Sequence, residues 1–304
     1  MTRVDERASA VGRQQHGLAT RGQLRRAGIS DSGIRRRLSS GSWGEPLPGV
    51  VDLRTHRPSW HGRLQALLLA AGPRAWASHR TAAYLHGFLD VARPPGLDVL
   101  VPRGRHPRVG TVRLHTTVAI AKDEVTVHDG LACTSAARTL LDLAMIEADP
   151  VLERLALDLG RRSPRALEEV SGLLDRHARR PGRGRLRGIL DRLPRDVSRL
   201  ESPLEVHGVA RLSAVGLLPP RLQYQVRDPW GVPVKRVDAA WPAARLVVEF
   251  DGAAYHDASA QRAEDAAVRD RLRELGWRVV VLRASDLVGP RFDAAAGEIR
   301  EAVT

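Results

Sequence analysis

Several things are scarce in this chain of 304 residues. A single cysteine, Cys133, excludes an internal disulfide framework and a zinc site built from several thiolates, and it fits a reducing compartment. Long apolar runs are missing too. The longest, such as Leu67–Ala71, are far too short to span a bilayer, so no membrane association is expected. The opening MTRVDERASAVGRQQ contains Asp5 and Glu6 and no apolar core, so no secretory leader is read there and a cytoplasmic location is expected. The 27 Gly and 19 Pro follow no collagen-like period, and 43% hydrophobic content argues against a wholly disordered chain. Lysine is nearly absent: only Lys122 and Lys235 occur among 48 basic residues, the rest being arginine.

What is there is an uneven charge. The formal net charge is +13. Residues 1–37 carry nine Arg against three acids and residues 161–198 eleven against five, whereas residues 199–304 balance at fifteen of each. Arginine pairs bidentately with phosphate, so clustered arginine points to nucleic acid. A coding bias would explain Arg over Lys, but not why the surplus avoids the last third.

Three segments are read: 1–55, 56–198 and 199–304. In the first, Thr20 caps a helix over Arg21–Ala27 that Gly28 stops, and Ser30 or Asp31 opens a second helix with Arg35, Arg36 and Arg37. Two short helices about a tight glycine turn make a helix-turn-helix, and residues 43–53 read as turn, strand, turn, strand, a wing. Leu18, Leu24, Ile29, Ile34 and Leu38 would form its core. Arg21, Arg25, Arg35, Arg36 and Arg37 are the expected DNA contacts, on phosphates or guanine edges; the alternative is a solvated basic helix.

The second segment reads as mostly helical with a small β insert around Leu97–Pro102 and Val109–Thr117, with Ser78 and Thr134 or Ser135 as caps and an exposed basic turn at Arg179–Arg185. His106, His115 and His128 lack the short paired spacing of a zinc site.

The third reads as helix, three strands, helix, strand, helix. Glu249 interrupts the apolar strand Leu246–Val248, and Asp251 follows two residues on, on the same face. A short turn at Pro242–Ala244 sets Asp238 of the preceding strand beside residue 248 or 249. Acids gathered in a sheet repel one another unless a cation compensates them, and hard oxygen ligands suit Mg²⁺ or Mn²⁺. The expected fold class is α/β, α+β overall.

The stretches HGLATRGQLRRAGIS, GIRRRLSSGSW, ASHRTAAYLHG and CTSAARTLLDLA resemble the AbiEi family of antitoxins from type IV toxin–antitoxin systems over residues 10–145. The resemblance implies a winged helix that binds DNA, repression of the chain's own operon, and a toxin or operon partner. Residues 200–288 resemble the PD-(D/E)XK nucleases, in particular domains related to the very-short-patch-repair endonuclease, through SPLE, KRVDAAWP, RLVVEFDGAAYH and AVRDRLRELGWRVVVLRASDL. That resemblance implies a restriction-endonuclease-like mixed sheet flanked by helices, with Asp238 as first acid, Glu249 as second and Glu205 as the helical glutamate of a metal site. Ser202 and Glu205 also form a capping box, which explains Glu205 without a metal. The motif's lysine position is Asp251 here; His256, as in the short-patch-repair relatives, or Lys235 would serve as general base or charge stabiliser. Arg269 and Asp270 read as structural ion-pair residues, with Arg269 also a candidate DNA contact. Two functions follow: a DNA-binding protein with a metal-dependent endonuclease domain, or an antitoxin-like regulator whose nuclease-like domain is inactive. The retained acids favour the first; the missing lysine and the net-zero charge of the last third favour the second.

Overall fold

The computed structural model describes residues 3–53, 59–88, 94–105, 107, 112–252 and 259–303. The chain forms two compact units, Met1–Leu143 and Ala144–Thr304, so its division falls at neither residue 55 nor residue 198.

The first unit opens with α1 (Arg3–Gly12), β1 (Leu18–Thr20), α2 (Arg21–Arg26), α3 (Asp31–Ser39), β2 (Gly44–Leu47) and β3 (Val50–Asp52). Thr20 and Gln23 form a full capping box on α2, and the Ser30 hydroxyl accepts from Gly33 N–H at the start of α3. Gly28 turns the chain between them at φ +79°. The strands pair antiparallel in the order β1-β3-β2. Leu24, Ile29, Ile34, Trp43 and Val51 form the core with Ala8 of α1, and Leu38 packs against it. Leu18, expected there, faces the other way, onto Val50 and Ala66, because adjacent strand residues point to opposite faces.

Helices α4 (Trp60–Ala71), α5 (His79–Leu85) and α6 (Ala136–Leu143) flank a sheet of β4 (Trp76–Ala77), β5 (Asp98–Pro102), β6 (Arg113–Thr117), β7 (Val125–His128) and β8 (Leu131–Thr134) in the order β6-β5-β4-β8-β7. The expected small insert is therefore a five-stranded mixed sheet. Its last hairpin turns on Asp129 (φ +49°) and Gly130 (φ +78°), the pair of left-handed residues a tight hairpin requires. Ser78 stands at the start of α5 without capping it; its hydroxyl lies 3.0 Å from His79 Nδ1 instead. Arg138 of α6 is wholly buried between Glu124 and Asp142, with Nε 2.8 Å from Asp142 Oδ1.

The second unit begins with α7 (Asp149–Arg162), α8 (Pro164–Arg176), α9 (Arg183–Arg192) and α10 (Pro203–Ala214). The strands β9 (Arg221–Arg227), β10 (Pro233–Trp241) and β11 (Leu246–Asp251) follow as an antiparallel meander; α11 (Ser259–Glu274) crosses over to β12 (Arg278–Arg283), parallel to β11, and α12 (Pro290–Val303) ends the chain. The order is β12-β11-β10-β9. Leu246, Val248 and Phe250 pack against α10 and α12, and Val247 packs with Leu272 of α11 on the other face. Among the described residues no helix is long and apolar enough to cross a membrane.

Candidate nucleic-acid interface and carboxylate cluster

The arginines of α2 and α3 divide into those bound to the protein and those facing water. Arg21 is bidentate to Glu45 of β2 (2.8 and 3.1 Å), which holds Glu45 below its ordinary pKa and so ties the first helix to the wing. Arg37 reaches Asp5 of α1 at 3.0 Å and lies 5.1 Å over the Trp43 ring. Its i+3 spacing from buried Ile34 turns it towards the core. Arg25 and Asp31 approach to 3.5 Å, both largely exposed. Arg35 and Arg36 are exposed and carry no ion pair among the described residues. Arg36 lines a groove of about 1530 Å³ with Arg13, Gln14, His16, Trp43 and Asp129. Of the five arginines expected at DNA, Arg35 and Arg36 are thus the most available.

In the second unit, β10 pairs with β11 only from Ala239↔Val248 to Trp241↔Leu246. Continuing that register sets Asp238 opposite Glu249, but there the strands part. The N–H of Phe250 is taken by the Asp238 side chain, which accepts through Oδ2 at 2.8 Å. Gln223 of β9 donates from Nε2 to Glu205 Oε2 at 2.9 Å and to Asp238 Oδ1 at 3.3 Å. Glu205 Oε2 also accepts from Glu201 N–H (3.0 Å), while Ser202 caps Glu205 N–H (3.1 Å). The capping pattern is therefore real, with the glutamate reaching one residue further back than the usual box. Burial, reinforced by the Glu205 and Glu249 charges and opposed by the Phe250 and Gln223 hydrogen bonds, raises the Asp238 pKa.

Glu249, buried in β11, holds the cations. Lys235 Nζ lies 2.6 Å from Oε1, off the angle of a hydrogen bond, and Arg269 Nε lies 3.3 Å from Oε2. Arg269 therefore pairs with Glu249, whereas Asp270 takes Arg273 at 2.7 Å. Asp251 is not drawn into this group by any pairing found: half-exposed, it approaches Arg283 across the parallel pair at 3.7 Å. His256 lies outside the described residues, as do His106 and the start of the strand expected from Val109. Among the described residues no group of three or more His, Cys, Asp or Glu is arranged to hold a metal ion.

Sequence reasoning missed Gln223. It is a buried amide in left-handed backbone (φ +47°) within a strand, and it links two carboxylates that are far apart in sequence. Its one local signal is a second polar residue, Gln225, in an otherwise ordinary strand.

Residues 75–213 match the AbiEi antitoxin C-terminal domain family. The match overlaps the expected resemblance over residues 10–145 only in part: it leaves out the helix-turn-helix and runs on through α10. Two Mycobacterium tuberculosis proteins, "Uncharacterized protein Rv2248" of strain H37Rv and "Uncharacterized protein MT2308" of strain CDC 1551, are each 32% identical over 233 residues, covering 76% of this chain and 82% of theirs. The crystal structure of the RV2827C protein of the same species superposes with a TM-score of 0.41 at 17% identity, covering 63% of this chain and 77% of that one. The chain belongs to one family with the two mycobacterial relatives, and its residues 75–213 are similar to the AbiEi antitoxin C-terminal domain.

Proposed function

We propose that this chain is an antitoxin-type, DNA-binding regulator that grips duplex DNA through α3. The observation that carries the reading is the pair Arg35 and Arg36, exposed on a helix whose other arginine, Arg37, is held by Asp5 and Trp43. A helix fixed on its inner side and bearing free guanidinium groups on its outer side suits a major groove. The AbiEi match supports the antitoxin part, and with it a toxin partner encoded nearby. The test is a mobility-shift titration on DNA from upstream of the chain's own coding sequence. Arg35→Ala with Arg36→Ala is expected to weaken binding tenfold or more and to lower the log–log salt slope by about two, one for each lost phosphate contact. Unchanged affinity and slope would remove α3 from the interface.

A second reading, that the other unit cleaves DNA, is favoured by the Asp238 carboxyl, whose pKa is raised by burial first and by the Glu205 and Glu249 charges beside it. All three are oxygen donors of the kind Mg²⁺ or Mn²⁺ takes, and a bound ion would supply charge for phosphodiester hydrolysis. As the side chains stand, Gln223 donates hydrogen bonds to Glu205 and Asp238, and Lys235 and Arg269 neutralise Glu249. Lys235, on β10, brings to Glu249 the cation that Asp251 does not. The protein with Mg²⁺ or Mn²⁺ is expected to nick supercoiled plasmid, and Asp238→Ala or Glu249→Ala to abolish nicking without loss of duplex binding. Nicking that survives both substitutions would exclude this site.

A further inference from the structure

The sheet of the second unit breaks its own alternation at one level. Leu222 pairs with Ala239 and Tyr224 with Val237, which sets Gln223 opposite Asp238. Residues two apart on a strand normally share a face. Here Leu222 and Ala239 pack on the α10 side, whereas Tyr224 and Val237 pack on the Leu272 side. Both strands therefore turn over at the same rung. In β9 the residue that turns is Gln223 itself, in left-handed backbone at φ +47°. In β10 it is Asp238, where β11 parts from the ladder and Phe250 N–H goes to the carboxylate instead. Irregularities of this kind cost stability, re-aim side chains and gather at functional sites.

What they re-aim here is a set of polar groups. Gln223, Glu205 and Glu249 are each more than nine-tenths buried. Both neighbours of the Gln223 amide are carboxylates, so it presents its nitrogen to them: Nε2 lies 2.9 Å from Glu205 Oε2 and 3.3 Å from Asp238 Oδ1. One amide thus ties an acid of α10 to an acid of β10. Glu249, next along the rung, has a buried Oε1 without a hydrogen bond, which Lys235 approaches off-angle. Apolar side chains at 205, 223 and 238 would hold the same sheet in unbroken strands, without burying two acids. Buried hard oxygens short of donors are the groups a divalent cation takes.

We infer that Gln223 is a positioning residue of the carboxylate site. Its amide orients Glu205 and Asp238 so that each presents an oxygen to a divalent cation, and the strained strand is kept because it aims the amide. The inference rests on the cleavage reading. Carboxylates that bind a metal are themselves held by hydrogen bonds, and loss of such a partner lowers metal affinity about 10–100-fold.

The test uses the full chain and Mn²⁺ alone, with free Mn²⁺ read by electron paramagnetic resonance and the fold of each variant checked by circular dichroism. Gln223→Leu keeps the bulk and removes the donors; it is expected to weaken Mn²⁺ binding about tenfold or more. Gln223→Gly relieves the left-handed backbone and is expected to weaken Mn²⁺ binding equally, since the amide is gone. Gln225→Leu is the control: the Gln225 amide donates to Val226 C=O at 3.2 Å, and its loss is expected to leave Mn²⁺ affinity unchanged. Unaltered affinity in Gln223→Leu, with binding still lost in Asp238→Ala, would overturn the inference and leave the cleavage reading standing. A loss in Gln225→Leu as large as in Gln223→Leu would trace the effect to a loosened strand and overturn it too. No Mn²⁺ uptake by the unmodified chain would remove the cation site and the inference together.

Discussion

Asp98 opens β5 with its carboxylate out of water, and its partners decide its chemistry. Arg113 grips it with Nε at 2.7 Å and Nη2 at 2.9 Å, and His115 Nε2 lies 2.9 Å from Oδ1. Burial pushes the Asp98 carboxyl up, but the His115 and Arg113 hydrogen bonds and charges outweigh it and leave the pKa below the ordinary aspartate value. A carboxyl depressed by folding stabilises the native state above its unfolded pKa, near 3.9, and that contribution disappears as pH falls through the folded value. Asp98→Asn is therefore expected to cost about 2 kcal/mol at pH 7, half-exposed Arg113 giving less than a buried partner would. The gap to the unmodified chain should narrow in urea titrations as pH falls below about 4, the unfolded aspartate value; a pH-independent gap would deny the ionic origin. Asp238 is the opposite case, raised rather than lowered, because burial is reinforced by the Glu205 and Glu249 charges and no cation among the described residues offsets it. Such differences are hard to read from sequence. Glu249 and Asp238 stood out because acids are rare in apolar strands, but three consecutive arginines look alike until Ile34 fixes which of them turns inward.

At the scale of elements, α10 lies on the sheet with almost no clearance. A Cβ placed on Gly208 would come 2.0 Å from Phe250 Cε1. Alanine favours a helix over glycine by about 1 kcal/mol, but overpacking a core costs about 1–3 kcal/mol. We expect Gly208→Ala to lower thermal stability by about 1–2 kcal/mol, and Phe250→Leu in the same chain to recover part of the loss. Additive losses in that double-mutant cycle would place the strain elsewhere. The strands of the second unit were legible because Asp228–Gly231 and Pro242–Ala244 punctuate them locally. Helix α1, with only Val4, Ala8 and Val11 as its apolar stripe, gave a weak periodic signal. The β7–β8 hairpin is marked in the sequence only by Asp129-Gly130, since the strands on either side are just four residues long.

Over the whole molecule, the order of elements in the last third was readable, while the two compact units divide at 143/144, a position the three-segment reading did not mark. Periodicity is a local property, whereas a compact unit is defined by long-range contacts, so the boundary at 143/144 left no composition change to follow. The AbiEi match from 75 to 213 likewise extends to both sides of it. One arrangement described above also bears on synthesis of the protein. β11 is flanked by β10, translated before it, and by β12, translated only after all of α11. For that interval a nascent chain presents Leu246–Asp251 as an open, sticky border, the kind of backbone edge that invites pairing with a neighbouring polysome's product. The stretch emerging meanwhile, residues 265–274, is dense in Asp, Glu and Arg.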